Sequence, residues 1–298
     1  MEKRGIFLAI LAATLYALSI PLSKILLKYV SSIMMAAFLY IGAGIGILIM
    51  ILVKKLFNLE TKEEHLTKKE MPYILILIIF DIAAPVSLMF GLKLTTASHA
   101  SLLNTFEIVI TSLIALFFFK TKINPRVWVG IVLITISSII LSVKDVNDLS
   151  FSYGSLLVLL SCIIWGFENN IFKIISHKSP KEIVMTKDIF AGLGSLIIAL
   201  CLKEKIDSYW AVALTMLLGF VAYGLSSTVY LHSQRVLGVP KATLYYAVSP
   251  FVGVILSFLI FRDKIGETFI VALVIMLIGA FLAANNKPLL KDKIKLKK

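Results

Sequence analysis

Apolar residues along this chain come in long runs, separated by short polar segments that hold most of the Lys, Arg, Asp and Glu. A helix rises about 1.5 Å per residue, so about 20 apolar residues cross the roughly 30 Å of hydrocarbon in a bilayer. On that measure the pattern predicts ten membrane helices, near residues 5–28, 32–53, 72–93, 97–119, 125–143, 154–175, 182–202, 209–231, 239–261 and 267–285. The one long polar connection, Lys54 to Met71, is rich in Lys and Glu and reads as a solvated loop. Lys144 to Ser152, with Asp145, Asn147 and Asp148, joins the two halves.

Those halves repeat. An offset of 149 lays Gly5 on Gly154, Tyr16 on Trp165 and Lys24 on Lys173. An offset of 142 lays Ala97-Ser-His-Ala-Ser-Leu-Leu103 on Val239-Pro-Lys-Ala-Thr-Leu-Tyr245, and Phe119-Lys-Thr-Lys-Ile123 on Phe261-Arg-Asp-Lys-Ile265. Each half then holds five helices, and an odd number makes the second half enter the membrane from the opposite side. The expected fold is an all-α integral membrane protein of ten transmembrane helices arranged as two inverted five-helix repeats. The repeats span residues 5–143 and 154–285, and a basic tail follows at 286–298.

Composition agrees. The chain has 298 residues, 59% of them hydrophobic and 16% charged, with a mean hydropathy of +0.96. The net charge of +13 lies in the segments between apolar runs and in the tail, which points to anionic lipid headgroups and not to nucleic acid. With the N-terminus in the cytoplasm, 20 Lys and Arg fall on the cytoplasmic side against seven opposite, leaving Lys24, Lys173 and Lys187 within the membrane. That asymmetry predicts a multi-pass protein of the cell membrane with both termini cytoplasmic. The opening Met-Glu-Lys-Arg resembles a signal peptide, but the run continues to about Leu27 and recurs in mid-chain, so it is read as a helix. Cys162 and Cys201 sit inside apolar runs as packing residues.

The candidate site residues are those that hydrocarbon tolerates least. Asp81, Glu107, Glu168 and Asp188 interrupt apolar runs, where an ionisable side chain marks a pathway or a pair. Glu107, Glu168 and Asp81 are candidates for proton or charge coupling, or for contact with a substrate amine. Asp188 has Lys187 beside it and reads equally as a local pair. Lys24 and Lys173 occupy equivalent places and read as snorkelling residues, or as gate or counter-ion. Tyr16, Ser19, Trp165, Glu168, Asn169, Tyr223, Tyr245 and Tyr246 are candidates for the walls of a substrate cavity lined by the first, third, fourth, sixth, eighth and ninth helices. Gly42, Gly44, Gly46, Gly192 and Gly194 suit close helix contact.

Trp165-Gly166 with Lys173 eight residues beyond the Trp, the segment Gly91 to Leu103, and the segment Val239 to Pro250 resemble the EamA-type branch of the drug/metabolite transporter superfamily. The resemblance runs from about Gly5 to Ala284 and implies ten helices around a central cavity, with export or exchange of small metabolites, amino acids among them. The chain departs from that pattern at Tyr16 in place of Trp, at Pro21 opposite Asn170, and at Thr121, where an acidic residue often follows the fourth helix and Asp263 follows the ninth. The small multidrug resistance relatives carry a membrane Glu eight residues before a Lys. Here those places hold Tyr16 and Trp165, so that mechanism is not expected.

The leading expectation is a secondary active transporter, an exporter or exchanger of a small metabolite such as an amino acid. Another solute class, a nucleoside, a vitamin or a lipophilic cation, is the next reading, and a non-transporting receptor or a membrane-embedded enzyme follows. No nucleotide loop, catalytic triad or metal-ligand spacing stands out, so neither enzyme activity nor a cofactor or metal is expected. The expected partners are a small-molecule substrate, the lipid bilayer, and protons or a counter-transported solute.

Overall fold

The computed structural model describes residues 2–57, 63–120, 124–145, 150–175, 177–237, 239–262 and 266–284. Thr121, Asp263 and the tail 286–298 lie outside them. The helices are α1 (Glu2–Ala17), α2 (Ser19–Leu26), α3 (Ser32–Leu56), α4 (Met71–Leu94), α5 (Ala97–Leu103), α6 (Phe106–Phe119), α7 (Pro125–Ser142), α8 (Tyr153–Ile175), α9 (Pro180–Cys201), α10 (Tyr209–Gly219), α11 (Ser226–Leu237), α12 (Val239–Tyr246), α13 (Ser249–Phe261) and α14 (Glu267–Ala284). A π-helical turn, Phe220–Leu225, joins α10 to α11. A minimal antiparallel pairing of β1 (Val143–Asp145) with β2 (Ser150–Phe151) closes the join between the halves. Among the described residues eight helical stretches are long and apolar enough to cross a membrane, and the apolar helices Ser249–Phe261 and Glu267–Ala283 are shorter.

Each predicted segment is largely helical, and prolines account for two of the breaks within them. α1 gives way to α2 at Leu18 because Pro21 cannot donate to the Ala17 carbonyl and its ring crowds that oxygen. Pro250 acts in the same way on the turn between α12 and α13. Pro85 is accommodated inside α4, where it leaves the Asp81 carbonyl without its helical donor. α6 and α13 both end on a residue in the left-handed conformation, Lys120 at φ 49° and Arg262 at φ 52°, which are equivalent at the offset of 142.

The packing is reciprocal between the halves. α3 runs antiparallel to α9, with Gly44 against Ile189 and Gly192 against Ile41. α7 runs antiparallel to α14, with Gly130 against Ala283 and Gly279 against Ile134. α1 lies along α11, tied by hydroxyls donating from Ser226 to the Ala12 carbonyl and from Ser233 to the Gly5 carbonyl, each at 2.9 Å. In the same way α8 lies along α4, with Gly154 at Leu94 and Gly91 at Val158. The outward faces of α7 and α14 carry exposed Val129, Val132, Ile136, Val271, Val274 and Phe281, an apolar surface suited to lipid.

Candidate functional site

Lys187 stands two turns into α9, a helix started by Ser179 at the N-cap and Pro180 at its first position. Its Nζ lies 2.6 Å from Asp81 Oδ2 on α4, 2.9 Å from Asp188 Oδ1 and 3.2 Å from Glu168 Oε1 on α8. The ammonium is also 5.7 Å from the centre of the Tyr40 ring on α3, within cation–π range. All four charged residues are buried. Removing a charge from water costs several kcal/mol, and mutual pairing is what makes such a group tolerable at this depth. The pairing is incomplete in charge, because three carboxylates face one ammonium. Asp81 on α4 and Glu168 on α8 share that one ammonium.

The next residue on α8, Asn169, points to a different helix. Its Nδ2 donates to Glu107 Oε1 at 2.5 Å and reaches Thr111 Oγ1 at 3.3 Å on α6. Asn170 Nδ2 donates to the carbonyls of Thr111 at 3.1 Å and Gly166 at 2.9 Å, so it ties α8 to α6. Glu168 and Glu107 thus sit on two sides of α8, one held by Lys187 and the other by Asn169.

From Tyr40 an unbroken chain of rings crosses the molecule. Centroids are 5.4 Å apart from Tyr40 to Tyr223, 5.8 Å to Tyr16, 5.9 Å to Tyr246 and 4.3 Å to Tyr230. Ser19 faces the Tyr223 hydroxyl, and Asn104, in the break between α5 and α6, donates to the Tyr16 hydroxyl at 3.3 Å. The rings and the charge cluster fill the place where the sequence predicts a central cavity. Two shallow pockets lie instead near Glu63 and Arg235 and near Tyr29 and Lys205, each with room for about one water molecule or less.

The structure brings Asp81 and Glu168 together, Glu107 and Asn169 together, and Tyr16, Ser19, Tyr223 and Tyr246 into one wall. Trp165 is buried in the apolar core, and Tyr245 is half-buried outside the ring chain. Lys24 does not reach the cluster. Its Nζ donates to the carbonyls of Leu92 at 2.5 Å and Thr95 at 2.7 Å, so it caps the C-terminus of α4. Lys173 is exposed in the last turn of α8, as snorkelling requires. The sequence reading missed Lys187 as the centre, and Tyr40, Asn104 and Thr111 beside it. One signal was available: Lys187 is the one lysine deep in a predicted helix without a counterpart in the other half. Among the described residues no group of His, Cys, Asp and Glu is arranged to hold a metal ion.

Comparison with known proteins shows that this architecture is shared. The chain is 25% identical over 307 residues to an uncharacterized transporter of Methanothermobacter thermautotrophicus, covering 96% of this chain and 88% of that protein. It is 21% identical to the uncharacterized transporter YyaM of Bacillus subtilis, covering 96% of this chain and 95% of that one. A crystal structure at 14% identity superposes with a TM-score of 0.68 over 99% of both chains, a likeness of fold. The model of the EamA-like transporter family matches residues 3–143 and 152–285, nearly everything described above, and the chain belongs to that family.

Proposed function

We propose that the protein is a secondary active transporter, an exporter or exchanger of a small amine-bearing metabolite such as an amino acid. It works as ten spans in two inverted repeats, residues 5–143 and 154–285, with both termini in the cytoplasm of the cell. The reciprocal helix pairings and the equivalent left-handed ends of α6 and α13 support that arrangement. The observation that carries the proposal is the buried Lys187 ammonium, held by Asp81, Glu168 and Asp188 and facing Tyr40.

The chemistry follows from charge balance. Three carboxylates surround a single ammonium, so the cluster has capacity for a proton or a second cation. The cluster can therefore exchange a proton for a substrate ammonium, which is what coupling to a proton gradient or to a counter-transported solute needs. Tyr16, Ser19, Tyr223 and Tyr246 form the proposed substrate wall, while Trp165, Asn169 and Tyr245, expected there from the sequence, lie off the ring chain. Glu107 is the second titrating group, set apart on α6. The ring chain favours a second reading, a lipophilic cation, because tyrosine faces attract cations without requiring a substrate carboxylate.

Glu168→Gln and Glu107→Gln keep shape and remove titration. In proteoliposomes each is expected to lower pH-driven uphill flux roughly tenfold or more, with less effect on solute exchange at equal concentrations. Amino acids and lipophilic amines, screened as stabilisers of the purified protein, separate the two readings. Unchanged flux and pH dependence in both variants would reduce these carboxylates to structural groups.

A further inference from the structure

Two serines and two glutamates make the same contact at opposite ends of the bundle. Ser31 is the N-cap of α3 and Ser179 the N-cap of α9, and neither hydroxyl caps its own helix. An N-cap serine ordinarily accepts from the first-turn N–H groups. Here both donate outward. Ser31 Oγ donates to Glu204 Oε2 at 2.5 Å, and the same carboxylate takes the Met34 N–H at 3.2 Å. Ser179 Oγ donates to Glu63 Oε2 at 2.8 Å, while Glu63 Oε1 takes Arg235 Nη1 at 2.6 Å. Each glutamate comes from the loop that follows the other helix, so each contact joins one family-matched half to the other. α3 and α9 are antiparallel, which puts the two contacts roughly 35 Å apart.

Local structure aims both carboxylates. α9 ends with Lys203 at φ 58°, its N–H on the Leu200 carbonyl at 2.9 Å and the Glu204 N–H on the Ala199 carbonyl at 3.0 Å. That paired C-terminal cap fixes the direction of Glu204. Tyr29 packs on Trp210 at 4.9 Å at the same end. At the other end the Ser179 N–H donates to the Glu64 carbonyl at 2.8 Å, and Glu182 accepts the Leu66 N–H at 2.9 Å and pairs with His65. Burial opposes the charge on Glu63, but the hydrogen bonds from Arg235 and Ser179 outweigh it and hold the carboxyl below its usual range. Each end pocket lies against one of these contacts, one lined by Glu63, Lys181, Leu231 and Arg235, the other by Tyr29, Met34, Lys205 and Val212.

We propose that Glu63 with Ser179, and Glu204 with Ser31, are paired latches on the two membrane faces, and that a face opens to solute only when its own latch parts. Both latches are closed here. α3 and α9 pack as rods through glycine contacts, so a tilt that opens one end presses the other shut. The proposal rests on the transporter reading above.

The test reads accessibility in the full chain, without native cysteines (Cys162→Ala, Cys201→Ala), in lipid nanodiscs. Leu231→Cys reports on the Glu63 end and Val212→Cys on the Glu204 end, each through its rate of labelling by a water-soluble maleimide. Glu63→Gln and Ser179→Ala should raise labelling at residue 231 roughly tenfold and slow it at residue 212; Glu204→Gln and Ser31→Ala should do the reverse. The serine variants remove only a hydroxyl and keep the test open if a glutamate variant folds poorly. Labelling that rises at both ends together, or changes at neither, overturns the latches. Reciprocal labelling in a protein that moves no solute would leave the latches standing and reject transport instead.

Discussion

Lys187→Met is expected to destabilise the protein by about 3–5 kcal/mol, the usual cost of leaving buried charges without their partner. The replacement preserves most of the side-chain volume, so packing contributes little to the loss. What remains is three carboxylates at the junction of α4, α8 and α9 with no cation among them. The same reasoning predicts rescue. Adding Asp81→Asn and Asp188→Asn to Lys187→Met should recover much of the stability, because uncharged amides can hydrogen-bond one another where carboxylates repel. Denaturant unfolding of purified protein in detergent measures both variants. A Lys187→Met protein as stable as the wild type would show that the ammonium is not what holds the cluster.

The second large effect is expected at Gly219, where α10 crosses α3. A Cβ there would stand 1.9 Å from the Leu39 carbonyl oxygen, and one at Gly42 would stand 2.1 Å from the Met216 carbonyl oxygen. Overpacking a core with side chains costs about 1–3 kcal/mol because neighbours can change rotamer. Here the neighbour is backbone in the middle of a helix and has no such freedom. Gly219→Val should therefore abolish recovery of monodisperse protein, and Gly219→Ala should reduce it severely. Gly266→Ala, with nothing within 4 Å of the new atom, should leave the yield unchanged. Equal yields from all three would mean that α3 and α10 do not approach so closely.

Much of the fold was legible because the hydrocarbon spacing of the bilayer sets helix length, and long apolar runs report that length directly. The breaks were less legible. Pro21 and Pro250 announce theirs, but nothing in Leu103-Asn-Thr-Phe106 marks the interruption between α5 and α6. The site was half legible for a related reason. Glu168, Asp81 and Glu107 stand out by polarity alone. Lys187, which pairs with Asp81, Asp188 and Glu168 together, lies on a different helix from Glu168, and helix-to-helix geometry is not encoded in the spacing of one run. Tyr40 was missed because a tyrosine among apolar residues is unremarkable until the ring stack it joins is seen.

The two glutamate loops are alike in role and unlike in length. Residues 57–70 lie between α3 and α4, and only 202–208 between α9 and α10; much of the fall in repeat offset from 149 to 142 occurs across them. The longer arm grips more: Glu63 and Glu64 bind at its end and Glu182 is drawn in, where the shorter arm offers Glu204. Each extra hydrogen bond contributes about 1 kcal/mol net. A molecule made of two matching halves is therefore weighted towards one side, and thermal motion should free the Glu204 end first. On the orientation expected from the Lys and Arg distribution, the proposed latches would leave the extracellular face the easier one to open.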